Sequence, residues 1–273
     1  MRDHTEEQVR LLLSHVDDLC RRAEGGVIGH TAFLTMREQI EIDRHIGSAG
    51  QKNTVFWGGY EGSERKMLFC LPEYIADSAG LPVRECQREE LVPWLGESWE
   101  ESMAVLRVKG SGYKELDHRS YLGSLLSLGI ERAVLGDIVV ESPHEALVIC
   151  ERRIGDYLLS EWHTVGADTV KVSAVTLAED FRVERKFQEI RDTIASDRLD
   201  CVLAALTNLS REKAQGMIRA GLVDLDFITE QRTDRSVPDG AMLSVRGYGR
   251  YEVVGTDGVT RKGRLRLIAK KFI

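Results

Sequence analysis

From the amino terminus, the hydrophobic positions first follow a helical period. Val9, Leu12, Leu13, Val16 and Leu19 share one face across residues 4–24. Thr5 and Gln8 form a capping box at the start of this segment, and Gly25-Gly26 ends it. A second capping box, Thr35 with Glu38, opens another helix that carries Ile40 and Ile46 inward and stops at Gly47. The period then shortens. Residues 54–57 and 67–71 read as strands, and Pro72 begins a short helix that closes near Gly80. The connection FWGGYEGSERK (56–66) is consistent with a loop that approaches phosphate or peptide backbone, but a hairpin of tight turns is the simpler reading.

Beyond a turn flanked by Trp94 and Trp99, the pattern settles into a recognisable order. Residues 105–108 are strand-like. Residues 120–130 form a helix with Tyr121, Leu122, Leu125, Leu126 and Leu128 mostly inward. Strands follow at 138–141 and 146–150, then a helix over 154–163 with Ile154, Tyr157, Leu158 and Trp162 on one side, and a strand over 169–175. The order βαββαβ predicts a ferredoxin-like α-β plait. Its central strands carry no aromatic residue, which argues against base stacking on the sheet in the manner of the common plait RNA readers. Lys109, Lys114, His118 and Arg119 instead cluster before and at the start of the first plait helix, where they suit either a phosphate site or an ordinary polar loop.

A charged connector over 178–194 leads into the last segment, with a strand expected over 187–194. Leu199, Val202, Leu203 and Leu206 recur at i, i+3, i+4 and i+7, the signature of one helix. After the break at Thr207-Asn208-Leu209, Ser210 caps a second helix with Ala214, Met217 and Ile218 inward, Glu212 in its first turn and Gly221 as terminator. Two helices this short need a sheet to pack on. Strands at 222–226, 241–246, 251–254 and 264–269 supply one, separated by turns at Pro238-Asp239-Gly240, Gly247-Tyr248-Gly249 and Asp257-Gly258. The chain thus reads as an α+β protein of three parts: an N-terminal α/β region (1–95), the plait (96–178), and a helix pair with a sheet (182–273).

Composition changes this picture in one respect. The 273 residues, 42% hydrophobic and 30% charged, describe an ordinary globular protein, and no apolar run suits a membrane span or a signal peptide. Five scattered cysteines without a C-x-x-C pair suit reduced thiols in a cytoplasmic protein. The formal charge of −7 is unevenly spread: residues 182–273 hold 18 Lys+Arg against 13 Asp+Glu, and the remainder is strongly acidic. A net-basic segment on an acidic chain points to nucleic-acid binding.

Phosphate-loop, nucleophile-elbow, zinc-protease and dinucleotide fingerprints are absent from the sequence. Arg198-Leu199-Asp200 resembles the triplet around the catalytic aspartate of pseudouridine synthases, but here it leads into a helix face, where a first-turn carboxylate is favoured by the helix dipole. Recognition fits better than catalysis. Arg211, Gln215 and Arg219 form a row at four-residue spacing with Lys213 beside it, and Arg246, Tyr248 and Arg250 lie at a turn. Were the strands to bring that turn beside the second helix, these cations would converge on a shallow groove for phosphates, with Tyr248 available to stack.

These residues carry a family resemblance. Arg198-Leu-Asp, Ser210-Arg-x-x-Ala214, Ile218-x-x-Gly221-x-Val223 and Val245-Arg-Gly-x-Gly-Arg250 resemble the RNA-binding domain named after small-subunit ribosomal protein S-four. Two positions depart from its pattern: Leu225-Asp226-Phe227 replaces Val-Asn-Gly, and Gly240-Ala241 replaces Gly-Asp. Phe33-Leu-Thr-x-Arg-Glu-Gln39, Phe56-x-Gly-Gly-Tyr60 with Glu64-Arg-Lys66, Leu116-x-His-Arg-x-x-Leu-Gly123-Ser-Leu-Leu-x-Leu-Gly-Ile130 and Leu135-Gly-Asp-Ile138 resemble bacterial YlmH-type RNA-binding proteins over nearly the whole length.

The resemblance implies a non-enzymatic cytoplasmic protein without cofactor or metal. It would bind ribosomal RNA and tRNA on large ribosomal subunits carrying peptidyl-tRNA, beside other quality-control factors, and assist tailing of stalled nascent chains. RNA contacts are then expected at Arg198, Arg211, Lys213, Gln215, Arg219, Arg246, Tyr248 and Arg250, with secondary contacts at Lys109, Lys114, His118 and Arg119. Two other readings stay open. One is an RNA-modifying enzyme that uses the last domain for substrate delivery, and the other is a cell-division adaptor.

Overall fold

The computed structural model describes residues 6–49, 53–75, 98–178, 180–183 and 186–272. Thr5, Gly80, Cys86, Trp94 and the expected boundary at 95/96 lie outside the described residues. The chain divides into two compact units, Met1–Val183 and Glu184–Ile273.

The first unit begins with α1 (Glu6–Glu24), β1 (Gly29–His30), α2 (Met36–Ser48), β2 (Thr54–Trp57) and β3 (Met67–Cys70). The capping box at Thr35 and Glu38 forms as its sequence requires, with both reciprocal hydrogen bonds present. Gly47 does not stop this helix: its last residue is Ser48 and its cap is Ala49. The three strands pair antiparallel in the order β1-β3-β2, which puts β3 in the middle. All four β3 residues are buried, and their alternation serves two cores. Leu68 and Cys70 join Val16, Leu19 and Cys20 of α1 with Ile42 and Ile46 of α2, while Met67 and Phe69 turn to Phe33, Tyr60 and Trp99.

The plait follows, with β4 (Met103–Gly110), α3 (His118–Ser127), β5 (Leu135–Ser142), β6 (Glu145–Glu151), α4 (Arg152–Glu161), β7 (Thr164–Val165) and β8 (Asp168–Ala174). Its sheet is antiparallel throughout in the order β5-β6-β4-β8-β7. Leaving out the short β7, this is the split βαβ order expected from the sequence. Helix α3 starts at His118, two residues before the expected start. Asp117 is the reason: its Oδ1 accepts the Ser120 amide at 2.8 Å. Helix α4 likewise starts at Arg152 and ends at Glu161.

One face of the sheet buries Ala104, Leu106, Val108, Ala146, Val148 and Cys150 against the helices. The other face is used as well. Ile149, with Val105 and Val139, packs into the Phe33–Tyr60–Trp99 core. Part of the face that a plait RNA reader would present is therefore covered by the preceding elements of the same unit.

The second unit holds β9 (Phe187–Ile194), α5 (Leu199–Thr207), α6 (Arg211–Arg219), β10 (Val223–Leu225), β11 (Ile228–Thr229), β12 (Met242–Val245), β13 (Gly249–Val259) and β14 (Leu265–Phe272). The sheet order is β11-β10-β12-β13-β14-β9, antiparallel throughout. Leu203, Leu206, Ala214 and Ile218 from the helices meet Leu243, Tyr251, Val253 and Leu267 from the sheet in one core. The helix pair thus finds the partner it requires.

Asn208 ends α5 at φ +54°, and the Ser210 hydroxyl caps α6 by accepting the Lys213 amide at 3.3 Å. Asp257-Gly258 is not the turn its composition suggests. Strand β13 runs through it with shifted register, and the chain reverses over 260–263, where the Thr260 amide donates to Arg264 O at 2.7 Å. The β10–β11 turn places Asp226 at φ +49° and Phe227 at φ +65°, the two left-handed positions of a type I′ hairpin. Asp226 compensates by exchanging bonds with Met242: its amide donates to Met242 O at 2.7 Å, and its Oδ1 accepts the Met242 amide at 2.8 Å.

Candidate nucleic-acid interface

The centre of the site in the second unit is Asp200. It enters with the first turn of α5, whose leading amides are satisfied by the 233–235 segment: Leu199 N–H donates to Arg235 O at 2.7 Å and Asp200 N–H to Thr233 O at 3.1 Å. The Asp200 side chain has no solvent exposure. Its carboxylate accepts from Arg198 Nε at 3.2 Å and Nη2 at 3.3 Å, from Arg211 Nε at 3.0 Å, and from Gln215 Nε2 at 2.6 Å. Burial alone would raise this carboxyl, but the hydrogen bonds from Arg198, Gln215 and Arg211 outweigh it and hold Asp200 well below the ordinary aspartate value. In return, the Arg198 guanidinium is pushed up, chiefly by its bond to Asp200.

The arginines themselves remain available to solvent. Arg198 and Arg211 are 39% and 52% exposed while both touch the same buried carboxylate. One negative charge thus orients two forked donors and leaves a net positive charge at the surface. Such an arrangement suits a bidentate phosphate ligand, because little of the guanidinium geometry remains to be ordered on binding. Gln215, expected to be an RNA contact, donates one Nε2 hydrogen to Asp200, which fixes this half-buried side chain beside the two arginines.

Lys213 and Arg219 are exposed along α6. The turn between β12 and β13 is joined to the end of this helix by the backbone, with Arg246 N–H donating to Leu222 O at 3.0 Å. Arg246 and Tyr248 are exposed there, Arg250 is half-buried, and the Arg250 guanidinium lies 5.9 Å from the Phe227 ring centroid. The register adds a residue that the sequence did not reveal. Lys271 pairs opposite Tyr251 and sits over its ring at 5.7 Å, next to Gly249. Only the pairing of β13 with β14 brings that near-terminal lysine to the turn.

In the first unit, Lys109 is the last residue but one of β4, while Lys114 and Arg119 are exposed in and after the β4–α3 loop. His118, the first residue of α3, is exposed beside them; desolvation and the Arg132 charge push it below its ordinary value, and the carboxylates of Asp117, Asp137 and Glu64 act on it in the other direction. The 56–66 connection is a hairpin that also binds an anion, and the anion is Asp137 on β5. Its carboxylate accepts from Tyr60 Oη at 2.7 Å, Glu64 N at 2.7 Å and Arg65 N at 3.0 Å. The Arg65 guanidinium is buried and bound by the carbonyls of Leu135, Phe33 and Arg132 at 2.6, 2.8 and 2.9 Å. Burial and the Arg132 charge lower its pKa. Among the described residues, no group of three or more His, Cys, Asp or Glu could hold a metal, and no helix is long and apolar enough to cross a membrane.

The molecule is an α+β protein that couples a ferredoxin-like plait to a basic helix-pair-and-sheet unit. The family model described as "Putative RNA-binding domain in YlmH" matches residues 101–179, the plait. The ribosome-associated protein quality control protein P2 of Bacillus subtilis (strain 168) is 31% identical over 238 residues, which cover 87% of this chain and 84% of that protein. The chain belongs to the YlmH family. The solved structure of the cell division protein ylmH from Streptococcus pneumoniae aligns over 67% of this chain and 99% of its own, at 14% identity and a TM-score of 0.45. That likeness is too distant to bear on fold or function.

Proposed function

We propose that this protein is a non-enzymatic RNA-binding factor that engages ribosomal RNA and tRNA on the large ribosomal subunit during quality control of stalled nascent chains. The observation that carries the reading is the Asp200-centred pairing of Arg198 and Arg211, which builds a preoriented double-arginine surface on the chain's one net-basic segment. The helix pair with its adjoining sheet is the arrangement that the S-four-like resemblance of residues 198–250 implies. The name of the Bacillus subtilis relative supplies the ribosomal context. Lys213, Arg219, Arg246 and Lys271 extend the cationic surface, and Tyr248 offers a ring at the turn. The full use of Asp200 by three partners supports a positioning role over a catalytic one, because a general base needs a free lone pair directed at substrate.

The test is sedimentation of the full chain with purified large subunits across a salt series. Retention with free large subunits that weakens with salt, and that falls when Arg211 and Arg219 are both replaced by alanine, is the expected result. A new modified nucleoside in ribosomal RNA incubated with the protein, lost on Asp200→Asn, would instead make it an enzyme. Partner capture that survives nuclease and leaves RNA unbound would favour the adaptor reading.

A further inference from the structure

The plait carries an exposed feature that the double-arginine site does not use. Tyr113, in the loop between β4 and α3, is 74% exposed, the most of any large hydrophobic side chain among the described residues. A single exposed aromatic is ordinary on a protein surface; what singles this one out is the loop that holds it and the charge beside it. The loop that holds it is built firmly on both sides. Gly110 N–H donates to His144 O at 2.7 Å, Ser111 N–H to Thr169 O at 2.9 Å, and Leu116 N–H to Pro143 O at 2.7 Å. The Ser111 hydroxyl donates to the buried carboxylate of Asp168 and accepts the Tyr113 amide at 3.3 Å. A side chain at Gly110 would meet Asp168 Oδ2 at 2.8 Å, so only glycine lets the strand pass. Gly112, at φ +91°, then reverses the chain and sends Tyr113 outward.

Charge next to this loop is arranged in an equally specific way. Lys109 on β4 lies directly opposite Lys171 on β8 in the register, so two like charges share one face of the sheet end. That pairing is unfavourable unless an anion joins it. Lys109's partner on the other side is Glu145, but Arg107 takes that carboxylate at 2.7 Å and also reaches Glu141 at 3.6 Å. The nearby acids are otherwise committed or few: Asp168 is held by Ser111, Asp117 caps α3, and Glu115 is exposed in the loop. Among the described residues, no carboxylate pairs with Lys109, Lys114 or Lys171.

We infer that the Tyr113 loop and the Lys109–Lys171 strand end form a second RNA site, taking an unpaired base on the Tyr113 ring and its flanking phosphates on Lys109, Lys171 and Lys114. The inference rests on the RNA-binding reading above and adds a single-strand subsite to it. Stacking on one ring with cations alongside is sequence-tolerant, so the site selects unpaired over duplex RNA and not one sequence over another.

The test uses the full chain and a 4-thiouridine-containing single-stranded oligouridylate, with a blunt RNA duplex as comparison. Crosslinks mapped by mass spectrometry are expected on the peptide holding Tyr113. Tyr113→Ala should weaken single-strand binding by about tenfold and duplex binding hardly at all, while Tyr113→Phe retains affinity. Lys109→Ala with Lys171→Ala should lower the salt dependence by one to two released counterions. Crosslinks confined to residues 184–273, with Tyr113→Ala unchanged, overturn the subsite and leave the broader RNA reading standing. Failure to bind either RNA or large subunits overturns both. Loss, on Tyr113→Ala, of a nuclease-resistant protein partner with RNA binding intact would make the loop a protein contact and overturn the RNA assignment.

Discussion

Gln215 Nε2 donates to Asp200 Oδ2 at 2.6 Å, joining the second turn of one helix to the first turn of the helix before it, with no water access to the carboxylate. The same oxygen takes Arg211, so the pairing ties α6 to α5 and aims a guanidinium outward. An aspartate whose folded pKa is depressed stabilises the fold above its unfolded pKa and loses that contribution as pH falls. The ordinary aspartate value is 3.8, so the loss begins near pH 4 and continues below it. Asp200→Asn should therefore lower stability at pH 7 and flatten the acid limb of the stability profile below pH 4. Urea midpoints measured from pH 7 to pH 2.5 check this, and parallel profiles for the two proteins would count against it.

The two arginines on that carboxylate should matter to binding through geometry as well as charge. Arg211→Ala is expected to weaken RNA binding and reduce the slope of log affinity against log salt by about 0.7 to 0.9. Arg211→Lys keeps the charge but not the fork, and should recover the slope without the full affinity. Filter binding at four salt concentrations separates the two effects. Equal affinities for lysine and arginine would show that bidentate geometry is irrelevant.

Asp137 organises the first unit as Asp200 does the second. Its replacement by alanine removes three acceptor contacts from the 58–66 loop and one of the two carboxylates, with Glu38, whose charge acts on the buried Arg65. A cost of about 3 kcal/mol is expected, against about 1 kcal/mol for Tyr60→Phe, which deletes a single donor. Chemical denaturation of both variants gives the comparison, and similar values would mean that the two backbone amides contribute little.

Gly155 lies in α4, where alanine has the better helix propensity by about 1 kcal/mol. Its position decides otherwise. A Cβ there would come within 2.6 Å of Ala104 Cβ on β4, an atom that cannot rotate away. Overpacking of this kind costs about 1–3 kcal/mol, so Gly155→Ala should be destabilising on balance. A thermal melt of the variant with a raised midpoint would contradict it.

Cys150 is buried on β6, and burial pushes its thiol up to about 12. It should resist alkylation in the native protein at pH 8 and react only after unfolding. Peptide mapping after iodoacetamide treatment with and without urea reads this directly, and rapid native labelling would be the opposing result.

Much of the local structure was determined by the sequence, because its causes are local. The Thr35–Glu38 box, the strand at Phe187–Ile194, the Ser210 cap and the βαββαβ order all follow from period, capping chemistry and turn residues within a few positions. Where a local signal failed, a sheet partner overrode it, as when pairing with β14 carried β13 through Asp257-Gly258. The family could be recognised from motifs for the same reason. What tertiary structure alone decided is how distant groups meet. Asp137 captures amides more than 70 positions away, Lys271 reaches the Gly249 turn through register, and Gln215 is tied to a carboxylate on the preceding helix. Register places the lysine, and desolvation places the other two: a carboxylate withdrawn from water must collect donors from wherever the chain brings them, and no periodicity in the sequence records which ones will be near.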